Sequence, residues 1–202
     1  MENSIQDSAS NSANIEPLQP GQTNLLSFDN SWYNPGPRWK IVIWFLINSL
    51  FLNTYLPIPI KIKILILRIF GAKIGNGVII KPAVNIKYPW FLTIGNNVWI
   101  GEQVWIDNLS VVALGNNVCL SQGSMLLTGN HDYRRSTFDL TARPIILDDG
   151  VWIGAKAVVC PGVQCGSHAV LTAGSVATKL LYAYGIYQGN PAVWVRTRNI
   201  SA

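Results

Sequence analysis

From Ile74 onward an aliphatic residue returns at every sixth position, and the phrase around it repeats: IGNGVI from Ile74, IGNNVW from Ile94, LGNNVC from Leu114, LDDGVW from Leu147 and CGSHAV from Cys165. The starts lie 20, 20, 33 and 18 residues apart, which resolves into one unit of 18 residues, three hexads, with two bulges of two residues and one insertion of fifteen. The leading positions are Ile74, Ile80, Ile86, Ile94, Ile100, Ile106, Leu114, Leu120, Leu126, Leu147, Ile153, Val159, Cys165, Leu171 and Ala177. Thirteen of these fifteen are Ile, Leu or Val, although those types fill only 59 of 202 positions. Composition alone would supply about a third as many. Neither 3.6 nor 3.5 divides six, so the period is not helical, whereas a short strand and a corner use about six residues per flat face. The predicted architecture is all-β, a triangular parallel β-helix of about five coils. Inward Ile, Leu and Val would stack at about 4.8 Å, with hydrogen bonds running between coils. Gly75, Gly95, Gly101, Gly115, Gly154 and Gly166 follow the leading residue, with Asn or Gly next in several copies. They are expected to form the corners, in the φ > 0 conformation that glycine tolerates.

Upstream the pattern changes. Residues 1–30 are rich in Ser, Asn, Gln and Asp without periodicity and lack the regions of a secretory signal, so a disordered tail is expected. The run WKIVIWFLINSLFLNTYL, Trp39 to Leu56, has Lys40 as its one charge and ends at Pro57 and Pro59, which predicts a helix. Next comes IKIKILILRIFGAKIG, where Lys61, Lys63 and Arg68 punctuate Ile and Leu, compatible with a basic amphipathic helix or an alternating strand. Three readings of residues 39–70 stay open: a helical cap on the coils, a segment lying in the cytoplasmic membrane interface, or a full span. The last is opposed by its short length and by Asn48, Asn53 and Thr54. The expected organisation is a tail at 1–30, an apolar helical segment at 31–70 and the β-helix domain at 71–202.

Composition narrows the chemistry. With 49% hydrophobic and 12% charged residues the chain must bury a core. The net charge of +5 suits a phosphorylated ligand, an anionic membrane or a nucleic acid, without choosing among them. Cys119, Cys160 and Cys165 form no C-x-x-C pair, which argues against a disulfide framework or a structural zinc site and fits a reducing cytoplasm. His131 and His168 are the two histidines, so no site needing three imidazoles fits on one chain.

The insertion falls within TGNHDYRRSTFDLTARP, Thr128 to Pro144, where the hexad register fails. A long loop in a compact repeat protein is a functional candidate. This one carries His131, and an imidazole can accept the proton of a hydroxyl at neutral pH. The plainer reading is a polar loop residue. His168, at the fourth position of CGSHAV, reads as a solvated corner.

Taken together, AKIGNGVIIKPAVNIKYPW, WIDN, TGNHDY and VWIGAKAVVCPGV make residues 70–198 resemble the hexapeptide-repeat acyltransferases, in particular the colanic acid biosynthesis acetyltransferases, relatives of the galactoside and maltose acetyltransferases. The resemblance implies a left-handed β-helix, acetyl-CoA as donor, no metal, and direct transfer of an acetyl group to a saccharide hydroxyl in exopolysaccharide or surface-glycan synthesis. It maps the general base onto His131. It makes Asp107 an acceptor-binding or histidine-orienting carboxylate, against an Asx turn, and Asn108 an acceptor-holding residue in the same neighbourhood. Asp132 and Tyr133 are candidates for shaping the acceptor site. For the donor it sets Trp152 beside the thiol, Gly154, Ala155, Ala173 and Gly174 along the pantetheine arm, and Thr178, Lys179 and Arg196 toward the nucleotide. LeuLeuTyrAlaTyrGly after Thr178–Lys179 departs from the family's acidic and proline residues there. A groove between neighbouring β-helices implies a homotrimer with sites shared between chains, and no nucleic-acid partner. A basic apolar segment at 39–70 would suit a lipid-linked acceptor at the inner membrane face.

Two other functions fit the repeat: a non-catalytic β-helical scaffold, or an acetyltransferase acting on a non-sugar acceptor such as an antibiotic. Binding of coenzyme A separates the first from an enzyme, and an acceptor screen separates the second.

Overall fold

A computed structural model describes residues 21–201. The chain winds as a three-faced parallel β-helix. The first face stacks five strands, Lys73–Ile74, Leu92–Ile94, Val112–Leu114, Ile145–Leu147 and Gln164–Cys165. The second face starts at Ile79–Ile80 and runs through Trp99–Ile100, Cys119–Leu120, Trp152–Ile153 and Val170–Leu171. It is extended by Gly185–Gly189 and the antiparallel Ala192–Thr197. The third comprises Asn85–Ile86, Trp105–Asp107, Met125–Leu127, Val158–Val159 and Val176–Ala177.

The register is that of the sixfold pattern. Ile74, Ile94, Leu114, Leu147 and Cys165 pair in turn on the first face. Ile80, Ile100, Leu120, Ile153 and Leu171 do so on the second, and Ile86, Ile106, Leu126, Val159 and Ala177 on the third. All fifteen are buried except Ile74, which is half-buried in the first coil. Each inward side chain lies on its equivalent above and below, so burial is continuous along the axis.

The corners correct one expectation. Positive φ belongs to the third residue after the leading aliphatic, as at Asn97 (56°), Gln103 (59°), Asn117 (56°), Lys156 (55°) and His168 (61°), not to the glycine directly after it. That glycine answers a different need. A Cβ at Gly95 would lie 2.7 Å from the carbonyl carbon and oxygen of Gly115, so the coils can stack there only without a side chain.

Residues 39–70 cap the first coil. Helix α1 (Arg38–Ile47) ends sooner than the apolar run, in a wide π turn at Asn48–Leu52, and α2 (Ile60–Ile69) resolves the second run as helix. The early end has a polar cause. Buried Asn48 donates to Asn85 Oδ1 (2.8 Å) and accepts from Ile86 N (3.4 Å), tying the turn to the coil. Trp44 Nε1 donates to Ile86 O (2.8 Å), and Leu52 and Leu67 are fully buried. Among the described residues no helix is long and apolar enough to cross a membrane.

Of the expected tail, residues 1–20 lie outside the described residues. Residues 21–30 include a 3₁₀ turn, Leu25–Ser27, and Asn24 N donates to Ser136 O (2.8 Å), so ordered contacts begin before residue 30.

Candidate active site

The insertion leaves the prism between the third and first faces as an antiparallel hairpin, Gly129–His131 against Leu140–Ala142. Its root is tightly held. Buried Thr128 donates through Oγ1 to Asp107 O (3.0 Å) and accepts from Ser110 N (3.0 Å), while Arg143 N donates to Thr128 O (2.9 Å). A Cβ at Gly129 would meet the tip of the Leu109 side chain, which would have to turn aside.

His131 ends the first hairpin strand, opposite Leu140. Its Nδ1 lies 2.8 Å from Phe138 O. A carbonyl oxygen can only accept, so Nδ1 carries a proton, and in the neutral imidazole the lone pair is then on Nε2, the tautomer a general base requires. Phe138 stands in the left-handed region (φ 52°) with its ring stacked on the imidazole, 4.3 Å between centroids and 7° between planes. A bulky residue there is a conformational outlier, and such outliers cluster at functional sites. The Phe28 ring approaches at 5.7 Å.

Two clefts meet at the imidazole. One, ≈ 420 Å³, is walled by Phe28, Tyr33, Lys87, Tyr88, Leu109 and His131. The other, ≈ 440 Å³, runs from His131 past Arg143 and Cys160 to Thr178. A third cavity, ≈ 270 Å³, lies under α1 and shares Lys87 and Tyr88 with the first, adding Asp107, Asn48 and Phe45. A base with a cleft on either side can take a proton from one bound molecule and return it to another.

The expected site residues divide. Asp107 reaches the cleft system: Lys87 Nζ lies 2.9 Å from its Oδ1, which is buried without a well-aligned hydrogen bond. It does not orient His131, because Phe138 O occupies that role, and its carboxylate faces Lys87 rather than closing an Asx turn. Asn108 is fully buried, donating to Tyr88 O (2.6 Å) and accepting from Tyr88 N (2.9 Å), so its amide is spent on the fold. Asp132 is held by Arg134 (Nε at 3.1 Å), whose hydrogen bonds keep the carboxyl below its ordinary range. Tyr133 is exposed beside His131.

Of the donor-side residues, Thr178 joins the His131 cleft. Gly154, Ala155, Ala173 and Gly174 instead stack at the corner between the second and third faces, where Gly174 N donates to Ala155 O (2.9 Å), and Trp152 lies on the second face with Nε1 donating to Ser121 Oγ. Within one chain these stand one prism edge from His131. Lys179 and Arg196 are exposed. Gly154 also serves packing, since a Cβ would meet Ala173 N at 2.5 Å. His168 is a corner residue stacked on Tyr184 at 4.9 Å.

Burial raises the pKa of all three cysteines, Cys165 to about 12, so none is a thiolate nucleophile near neutral pH. Sequence reasoning passed over Phe28, Tyr33, Lys87, Tyr88 and Phe138. The aromatic residues between 28 and 33 were a usable signal; a carbonyl contributed by Phe138 leaves none.

A stacked three-faced prism with a histidine on its large insertion fits the hexapeptide-repeat acyltransferase class. No protein-family model matches the chain. It is 35% identical over 166 residues, 82% of this chain and 91% of the relative, to an Escherichia coli K12 protein named for colanic acid biosynthesis, the acetyltransferase WcaF. It is 30% identical over 131 residues to the galactoside O-acetyltransferase of the same organism, covering 63% of this chain and 64% of that one. A solved galactoside acetyltransferase in complex with coenzyme A superposes with a TM-score of 0.71 at 24% identity, covering 80% of this chain and 82% of that chain. A hexapeptide-repeat acetyltransferase from Vibrio cholerae in complex with acetyl coenzyme A gives 0.70 at 22%, covering 81% and 87%. The protein belongs to this family of left-handed β-helix acetyltransferases.

Proposed function

We propose that the protein transfers the acetyl group of acetyl-CoA to a hydroxyl of a saccharide in surface-glycan or exopolysaccharide synthesis. The observation that carries this reading is the His131 tautomer, locked by Phe138 O and set between two clefts. Nε2 accepts the proton of the acceptor hydroxyl as its oxygen bonds to the thioester carbonyl carbon. A backbone N–H at a coil edge stabilises the resulting oxyanion. When the C–S bond breaks, the protonated imidazole returns its proton to the thiolate, which leaves as free thiol. No acyl-enzyme forms.

The donor residues one prism edge away favour a homotrimer, in which the Gly154–Ala155–Ala173–Gly174 edge of one protomer faces the His131 edge of its partner. Lys179 and Arg196 would then meet the phosphates. Light scattering at micromolar concentration should give a trimer; an active monomer would overturn the shared site.

The proposal extends to the inner face of an anionic membrane, with a lipid-linked sugar as acceptor. Val42, Phe45, Leu46, Leu50, Leu65 and Ile69 are exposed along the helical cap. Between Asp29 and Glu102 the chain carries eight Lys or Arg and no acidic residue, with Arg38, Lys61, Lys73 and Lys81 exposed. Flotation with phosphatidylglycerol vesicles and not with phosphatidylcholine vesicles is expected; equal recovery from both would remove the electrostatic argument.

For the reaction itself, labelled acetyl-CoA should acetylate at least one member of a panel of methyl galactoside, glucoside, fucoside and glucuronide, with release of one thiol per transfer. Absence of both coenzyme A binding and transfer would favour the scaffold.

A further inference from the structure

The segment from Asn24 to Pro35, expected as part tail, lies across the open side of His131. It is anchored to three separate parts of the fold. Asn24 N donates to Ser136 O in the hairpin (2.8 Å), the Tyr33 hydroxyl donates to Leu109 O in the second coil (2.7 Å), and Trp90 Nε1 donates to Pro35 O (2.7 Å). Between anchors the segment shapes itself. Asn24 Oδ1 accepts from Leu26 N, Asp29 Oδ1 accepts from Ser31 N and Asn34 Oδ1 accepts from Gly36 N, which are short side-chain turns that need no neighbour.

The consequence is a walled pocket. Phe28 and Tyr33 face the ≈ 420 Å³ cleft from the strap, with Tyr88, Lys87 and His131 among its other walls. Burial, with Tyr88 and then Asp107 nearby, raises the Tyr33 phenol above its ordinary pKa. Aromatic walls beside an ammonium and an imidazole suit a ring whose faces are C–H-rich and whose rim carries hydroxyls.

We propose that the strap 24–35 forms the outer wall of the acceptor subsite and that Phe28 and Tyr33 hold a pyranose ring with a hydroxyl at His131. The proposal rests on the saccharide reading above. A protein lacking the strap would keep the base but lose one face of its pocket, so the strap sets acceptor affinity and selectivity rather than donor binding.

The test uses the full-length protein, labelled acetyl-CoA and the best acceptor in the methyl glycoside panel. Phe28→Ala should raise the acceptor KM roughly tenfold, with the acetyl-CoA KM changed less than about twofold. Phe28→Tyr should restore the acceptor KM to within about threefold of the original, and Tyr33→Phe, which frees the Leu109 anchor, should raise it about threefold. Thermal unfolding run alongside confirms that each variant is folded, and Tyr33→Phe carries the test alone if Phe28→Ala fails to fold. A fall in kcat with an unchanged acceptor KM would make Phe28 a mere support of His131 and overturn the proposal, as would acceptor KM values unchanged in both variants. If the unaltered protein acetylates no glycoside, the saccharide reading falls and takes this subsite with it, an outcome distinct from active protein with insensitive variants.

Discussion

The interior of the prism and the hairpin that leaves it hold their side chains in place by different means. Inside, Ile100 pairs with Ile80 and Leu120, and every rung repeats the same contact, so position is secured by redundancy and by burial. At the hairpin nothing repeats. His131 depends on one carbonyl, one stacked ring and one strap drawn from the far N-terminal side of the chain. The difference implies that, if His131 is the base, stability and chemistry would reside in separate parts of the molecule and either should be removable without the other.

The sharpest way to test that separation is His131→Ala. Loss of the general base should lower kcat by at least about 10³-fold, while the thermal midpoint moves by less than about 2 °C because the imidazole holds no part of the prism. Steady-state transfer and thermal unfolding measured on one preparation check it. Near-normal turnover would remove His131 from the chemistry.

The mirror experiment is Leu120→Ala. Leu120 lies between Ile100 and Ile153 and is 1% exposed, so truncation leaves a void that rigid coils cannot close. The expected cost is about 2–5 kcal/mol in denaturant unfolding, with kcat per folded molecule unchanged. A large fall in kcat among folded molecules would show that strain in the coils reaches the hairpin and break the comparison.

The same contrast explains what could be read before any coordinates. The fifteen inward positions were legible because a period of six is imposed on every coil, and each leading residue votes for the same register. The corner glycines were recognised but misassigned: Gly95 is required by the approach of Gly115, while the positive φ falls at Asn97. The strap left no periodic trace. Its anchors join Tyr33 to Leu109 and Asn24 to Ser136 across long sequence separations, and its turns arise from Asn and Asp residues that also typify unstructured chain. Asn108 is a different case: the family resemblance made it an acceptor-holding residue, and in the structure both ends of its amide close on the Tyr88 backbone.

Phe138→Gly sharpens the account of the hairpin itself. Glycine keeps the orienting carbonyl and adopts a φ of 52° freely, but removes the stacked ring. If the carbonyl is the main orienting group, kcat should fall by less than about tenfold, far short of the loss in His131→Ala, and the pH profile should keep its shape. A loss equal to that of His131→Ala would transfer the orienting role to the aromatic ring.

Among the described residues Lys63 is the cationic side chain that the cap buries fully against the prism, and so tests how far redundancy of burial tolerates charge. It is 1% exposed, with Nζ 3.0 Å from Lys81 O and 3.4 Å from Ile80 O. Burial lowers its pKa from the ordinary 10.5. The folded chain therefore binds this proton less tightly than the unfolded chain does. Between the lowered value and 10.5 the unfolded state holds more protons, so stability rises with pH across that window, and the full cost of burying the ammonium is present below it. Lys63→Met removes the titrating group while keeping most of the buried volume. Against that variant, the unaltered protein should gain unfolding free energy as pH is raised toward 10.5, by about 1 kcal/mol or less because two carbonyls already accept from the ammonium. A difference between the two proteins that stays flat with pH, or that grows as pH falls through neutrality in favour of the unaltered chain, would show that Lys63 is solvated in the folded state and that the cap does not seal the first coil.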